Sequence, residues 1–150
     1  MRSWIFSWVV VVLLGGWTRA ATAQATKLMV SADPGLLRIS SAVPGSQPTS
    51  VSDATTTYHV KAGSGAKKIT GQLSGAMPTG VTLTVTLAAP PGATSLGPVS
   101  LDASPRDLVV NIPSGANTTQ SISYTLNATA AAGVIPASSR TVTLTLLSYP

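Results

Sequence analysis

Hydrophobic and polar residues alternate along much of this chain. Over Val81–Leu87 (V-T-L-T-V-T-L), four aliphatic residues hold one parity and three threonines the other. Near the end, Val142, Leu144 and Leu146 alternate in the same way with Thr141, Thr143 and Thr145. A period of two sends successive side chains to opposite faces, so both stretches predict strands with one apolar face and one hydroxyl face. Valine and threonine are β-branched and suit such a pleated, half-buried surface. The pattern recurs at Thr55–Lys61, where Tyr58 and Val60 share a parity, and at Lys67–Leu73 with Ile69, Gly71 and Leu73. Asp107–Ile112 (D-L-V-V-N-I) reads as a further strand, and the alternation recurs at Gln120–Ala128 with Ile122, Tyr124 and Leu126. Shorter extended stretches are expected at Lys27–Ser31, Leu36–Ser40 and Pro98–Leu101.

Turn signals separate these runs: Asp33-Pro34-Gly35, Gly63-Ser64-Gly65, Met77-Pro78-Thr79-Gly80, Pro90-Pro91-Gly92 and Pro113-Ser114-Gly115. Proline presets φ and glycine supplies the positive φ that tight turns require. Ala130-Ala131-Ala132-Gly133 is too short to hold a helix and is followed by Pro136, so it reads as a connection. About seven to eight short strands, punctuated every ten residues or so, predict an all-β fold: a single antiparallel immunoglobulin-like β-sandwich.

The N-terminus has a different character. Met1 and Arg2 precede an apolar run from Trp4 to Trp17, and both Ala21-Thr22-Ala23 and Ala23-Gln24-Ala25 fit an A-x-A cleavage pattern. That order is the one a secretory signal peptide shows. The run falls short of the roughly 20 residues of a membrane span, and Gly15-Gly16 interrupts it. The expectation is a signal peptide over residues 1–25 and a sandwich domain over 26–150. The product would be exported to the periplasm, cell surface or medium, with no membrane span after cleavage.

Cleavage would change the composition. All three tryptophans and the single phenylalanine lie in the leader, leaving Tyr58, Tyr124 and Tyr149 as the aromatics. Seven basic residues against four aspartates leave the 26–150 stretch at +3, compared with +5 for the whole chain. The bases are scattered, with Lys67-Lys68 the only adjacent pair after the leader. A nucleic-acid reader needs a basic stripe, usually with stacking aromatics, so no nucleic-acid partner is expected. The chain has no cysteine, which excludes disulfides, thiolate metal sites and a cysteine nucleophile.

Candidate chemistry is sparse. His59, the single histidine, sits on the strand face opposite Tyr58 and Val60, and no G-x-S-x-G elbow accompanies it. It reads as a surface residue. Glutamate is absent; Asp33 and Asp53 adjoin turn signals, and Asp102 and Asp107 flank the Ala103–Arg106 turn. Aspartates so placed bond the local backbone. No D-x-D spacing suggests calcium, and no glycine loop has the context to cradle phosphate. No catalytic residue, metal or cofactor is therefore expected, and the chain reads as a non-enzymatic protein.

One resemblance is carried by the C-terminal third. Ser121–Leu126 (S-I-S-Y-T-L), a small-residue connection, then Arg140–Pro150 (R-T-V-T-L-T-L-L-S-Y-P) resembles the end of bacterial fimbrial subunits. It is similar also to secreted domains of the spore-coat-U type. In the fimbrial family an immunoglobulin-like sandwich lacks its last strand. A neighbouring subunit's N-terminal extension fills the groove, and a periplasmic chaperone grips the C-terminal strand beforehand. The resemblance implies strand-addition or chaperone-facing positions at Val142, Leu144, Leu146 and Tyr149. It implies a donor segment carrying Leu28 and Val30, and partners that are other copies of the chain or a periplasmic chaperone. Tyr149 is off parity with the three aliphatics, so its place in that set requires a bulge near Leu147. The alternative is a complete sandwich whose final strand pairs inside its own domain. At the level of function, an exported structural or surface-interaction protein, pilin-like and assembling by strand addition, stands beside a stand-alone binding module for a glycan or envelope component. Glycan-binding surfaces recruit exposed aromatic rings, of which few are available here.

Overall fold

A computed structural model describes residues 25–40 and 45–150. The expected leader lies outside the described residues, apart from Ala25. Ten strands follow in order: β1 (Lys27–Val30), β2 (Val51–Asp53), β3 (Thr57–Lys61), β4 (Lys67–Leu73), β5 (Val81–Leu87), β6 (Thr94–Ser95), β7 (Val99–Ser100), β8 (Arg106–Ile112), β9 (Asn117–Ala128) and β10 (Val142–Ser148). All pairings among them are antiparallel. One sheet runs β1-β3-β9-β5-β7, with β2 also on β9; the other runs β10-β4-β8-β6. The fold is thus an antiparallel β-sandwich. Setting aside β2, β6 and β7, which have three residues or fewer, seven strands remain.

The alternating stretches became strands because alternation lets each sheet bury one face. On β5, Leu83, Val85 and Leu87 are buried while the intervening threonines are not. They meet Ile69 and Leu73 of β4, Leu108, Val109 and Ile112 of β8, and Ile122 of β9 in one apolar cluster. Tyr58 of β3 is fully buried there and its hydroxyl donates to the Ala88 carbonyl at 2.5 Å. That satisfies its one polar atom. Burial pushes the Tyr58 phenol up to about 12. The connection after β9 contains a single 3-10 turn, Ala130–Ala132, rather than an α-helix.

Two places break the simple pattern. Leu36–Ser40 forms no strand. Asp53 holds this segment instead, accepting from the Gly35 N–H while its other oxygen accepts from the Thr55 N–H at 2.8 Å. Leu37 alone turns toward the core and Leu36 is 91% exposed, so side-chain anchoring replaces a ladder. On β8, consecutive Leu108 and Val109 are both buried. The β4–β8 register shifts beside Ile69, and Asn111 takes φ 57°. A bulge adds one residue to one strand and so flips the parity beyond it.

The immunoglobulin arrangement holds in the middle and is exchanged at the flank. With β4, β5, β8 and β9 in the places of strands B, C, E and F, β4 pairs β8 and β5 pairs β9, as in that arrangement. The first strand ordinarily joins B and the last joins F. Here β3 lies beside β9, and the closing β10 lies beside β4.

Candidate functional site

The strand that ends the chain forms one edge of its sheet. All seven residues of β10 pair with β4, from Val142 opposite Leu73 to Ser148 opposite Lys67. The Ser74 N–H donates to the Thr141 carbonyl and the Tyr149 N–H to the Ala66 carbonyl, both at 2.9 Å. In an antiparallel ladder, hydrogen-bonded and non-hydrogen-bonded pairs alternate. Thr143, Thr145 and Leu147 therefore bond β4, whereas the N–H and C=O groups of Val142, Leu144, Leu146 and Ser148 point away from it. Among the described residues nothing lies beyond β10 in the sheet order, and no hydrogen bond reaches those groups.

The side chains fit that geometry. Val142, Leu144 and Leu146 pack against the core but stay half-buried, and β10 contains no fully buried residue. A strand covered on one flank only leaves its inward aliphatics partly open to water. Gly71 of β4 makes room for this packing: a Cβ there would lie 2.7 Å from Leu108 Cδ1 and 3.3 Å from Leu144 Cδ2. β10 also carries no charged residue.

The structure brings Val142, Leu144 and Leu146 together and sets Tyr149 apart. The register runs without a break through Ser148, and the Tyr149 bond to Ala66 continues it. There is no bulge near Leu147, so Tyr149 shares the outer face with Thr143 and Thr145. The closing strand is paired inside its own domain.

Leu28 and Val30 lie on β1, which pairs with β3 of the same chain. The Ser31 N–H donates to the Thr57 carbonyl at 2.9 Å, so by the same alternation Leu28 and Val30 present their backbone groups to an open edge. Leu28 packs against the core, while Met29 and Val30 are 48% and 45% exposed. β1 touches β10, so the open edges of both sheets lie on one side of the sandwich.

The polar candidates occupy structural positions. His59 Nδ1 lies 3.0 Å from Thr119 Oγ1, beside a shallow groove of about 210 Å³ lined by Met29, Val30, Ser31, Thr57 and Thr119. Asp53 sits below its ordinary pKa because the Thr55 N–H and hydroxyl, then the Gly35 N–H, bond its carboxylate. Asp102 is lowered first by its bond to the Arg106 guanidinium, then by the Ser104 N–H. Asp107 forms an ion pair with Lys68 at 3.0 Å. Among the described residues, no group of three or more histidine, aspartate or glutamate side chains could hold a metal, and no helix is long and apolar enough to cross a membrane.

Parity along β10 was legible in the sequence and gives the faces. It does not say which backbone groups bond the neighbour, because that depends on which strand lies alongside. The lack of charge from Val142 to Ser148 was the available signal for an unguarded edge. No family model, curated protein or solved structure matches this chain.

Proposed function

We propose that this is an exported, non-enzymatic structural or surface-interaction protein that takes up an extended segment by strand addition along β10. The observation that carries the reading is the open edge itself. Val142, Leu144, Leu146 and Ser148 direct unbonded backbone groups outward, beside three inward aliphatics that remain half-buried. Strand addition uses these two elements: main-chain bonds supply affinity, and alternating apolar contacts supply register. The segment would extend a sheet beyond a closing strand already in place, rather than fill the position of a missing one. The occupant is then a copy of this chain or a periplasmic chaperone of the kind the resemblance implies.

The glycan-module reading gains less support. Tyr58 and Tyr124 are buried in the core, which leaves Tyr149 as the partly exposed ring. Sugar stacking on a flat surface favours several such rings.

Amide hydrogen exchange tests the proposal. A synthetic peptide spanning Thr141–Ser148 is titrated into the purified protein at a dilution where it sediments as a monomer, and exchange is followed at Val142, Leu144, Leu146 and Ser148. The expected result is at least tenfold slower exchange at these four amides, with little change on β6 and β7. Unchanged exchange at saturating peptide overturns strand addition at this edge.

A further inference from the structure

We infer that the partner on the β10 edge is a second copy of this chain, paired antiparallel about a two-fold axis through Thr145. The inference rests on the strand-addition reading above and names its occupant. The outward-pointing residues 142, 144, 146 and 148 are symmetric about position 145. Two copies in that register would pair Val142 with Ser148 and Leu144 with Leu146, in both directions. Each such pair exchanges two main-chain bonds, roughly eight in all. On the outer face Thr145 meets Thr145, and Thr143 meets Leu147.

Three features select a copy of the same chain. The first is charge. β10 contains none, so a two-fold sets no like charges against each other, which is the ordinary device that keeps edges apart. The second is length: the seven residues of β10 pair end to end in this register, with none left over. The third is the distribution of exposed apolar side chains. Met29, Val30 and Leu147, all more than 40% exposed, sit on the two edge strands of this side. A two-fold perpendicular to the β10 sheet also places the two β1 strands on the same side of the joined sheet. A C2 interface of this kind is self-complementary and closes at two copies. The product is a closed dimer with a continuous eight-stranded sheet, formed from the four-stranded sheet of each copy.

Sedimentation velocity over a hundredfold range of protein concentration tests this. The wild-type protein is expected to sediment as a dimer. Thr145→Lys and Thr145→Glu each place like charges together on the axis and are expected to weaken the dimer at least tenfold. Mixing the two variants restores it, because lysine then faces glutamate. Thr145 is exposed, so neither variant disturbs the core. Thr94→Lys, on the opposite side of the sandwich, leaves the dimer intact. A wild-type monomer across the whole range overturns the inference. A dimer that survives both charge variants, or that the mixture fails to rescue, overturns it as well. If the wild type is monomeric while the Thr141–Ser148 peptide still protects the β10 amides, the second copy is excluded and strand addition stands. If the peptide also fails, both fall.

Discussion

The two lateral sides of the sandwich are built on opposite principles. On one side the sheets end in β6 and β7, two residues each, with Pro90, Pro91 and Gly92 before them and Gly97 and Pro98 between them. Short strands and prolines offer little ladder to an incoming strand, and this is how edges are usually blunted. On the other side the sheets end in β1, with the three-residue β2 beyond it along β9, and in β10. β10 is seven residues long, uncharged, free of proline and in unbroken register. Its composition is also that of a segment prone to pair with other chains: high β-propensity, little charge and no proline. One protein thus guards one side and leaves the other open. Exposure at β10 is therefore not a general property of this fold at this size, since the same chain has the means to close an edge.

The two sides differ first in packing. Leu108 on β8 is fully buried, whereas Leu144 on β10 is half-buried. Leu108→Ala is expected to cost about 4 kcal/mol in denaturant unfolding, and Leu144→Ala about 1–2 kcal/mol. Equal losses would mean that β10 is packed as centrally as β8, and the open side would no longer be a distinct region.

Next in size is the effect of alkaline pH on the centre. Burial holds the folded-state Tyr58 phenol at about 12, against an ordinary value of 10.0. The unfolded chain therefore loses this proton first. The contribution of neutral Tyr58 is present in full below pH 10, and is lost as pH rises from there toward 12. The loss amounts to about 2–3 kcal/mol. Tyr58→Phe should remove this component of the alkaline decline, as read from unfolding curves at a series of pH values. An identical decline in the variant would place the sensitivity elsewhere.

The smallest effect concerns the joint between the two regions. Gly71 lies where Leu108 of the centre and Leu144 of the open edge converge. Gly71→Ala should cost about 1–2 kcal/mol through overpacking. In a Leu108→Val background the cost should shrink, because the nearest clash is with Leu108 Cδ1. Strict additivity would show that the two sites do not share that space.

Strand positions were the most legible part of the fold. Lys67–Leu73 and Val81–Leu87 were read from alternation alone and form β4 and β5 with those bounds. The inward positions Ile69, Leu83, Val85 and Leu87 followed from parity. The apolar residues of Leu36–Ser40 suggest an extended stretch, but the segment is fixed by the Asp53 carboxylate on the Gly35 N–H, eighteen positions away, which no local pattern shows. The β8 bulge was hidden because D-L-V-V-N-I alternates imperfectly on either parity; the left-handed Asn111 shows it only once the neighbour is present. The candidate site was half legible. Val142, Leu144 and Leu146 could be grouped from spacing, but Tyr149 could not be assigned a face until the unbroken register excluded a bulge.

Most of the longer strands, and the two faces of those that alternate cleanly such as β5 and β10, were set by sequence alone, since a period of two follows from local backbone geometry. The sequence also determined that stability must come from an apolar core, because there is no cysteine to supply a disulfide. Which strands became neighbours was set by how the two sheets close over the core. That choice put β3 beside β9, put β10 beside β4, and left the outward groups of Val142, Leu144 and Leu146 without partners among the described residues. Side-chain alternation is a local property, whereas an open edge is defined by what lies next to the strand, and that depends on how the whole sandwich closes its core.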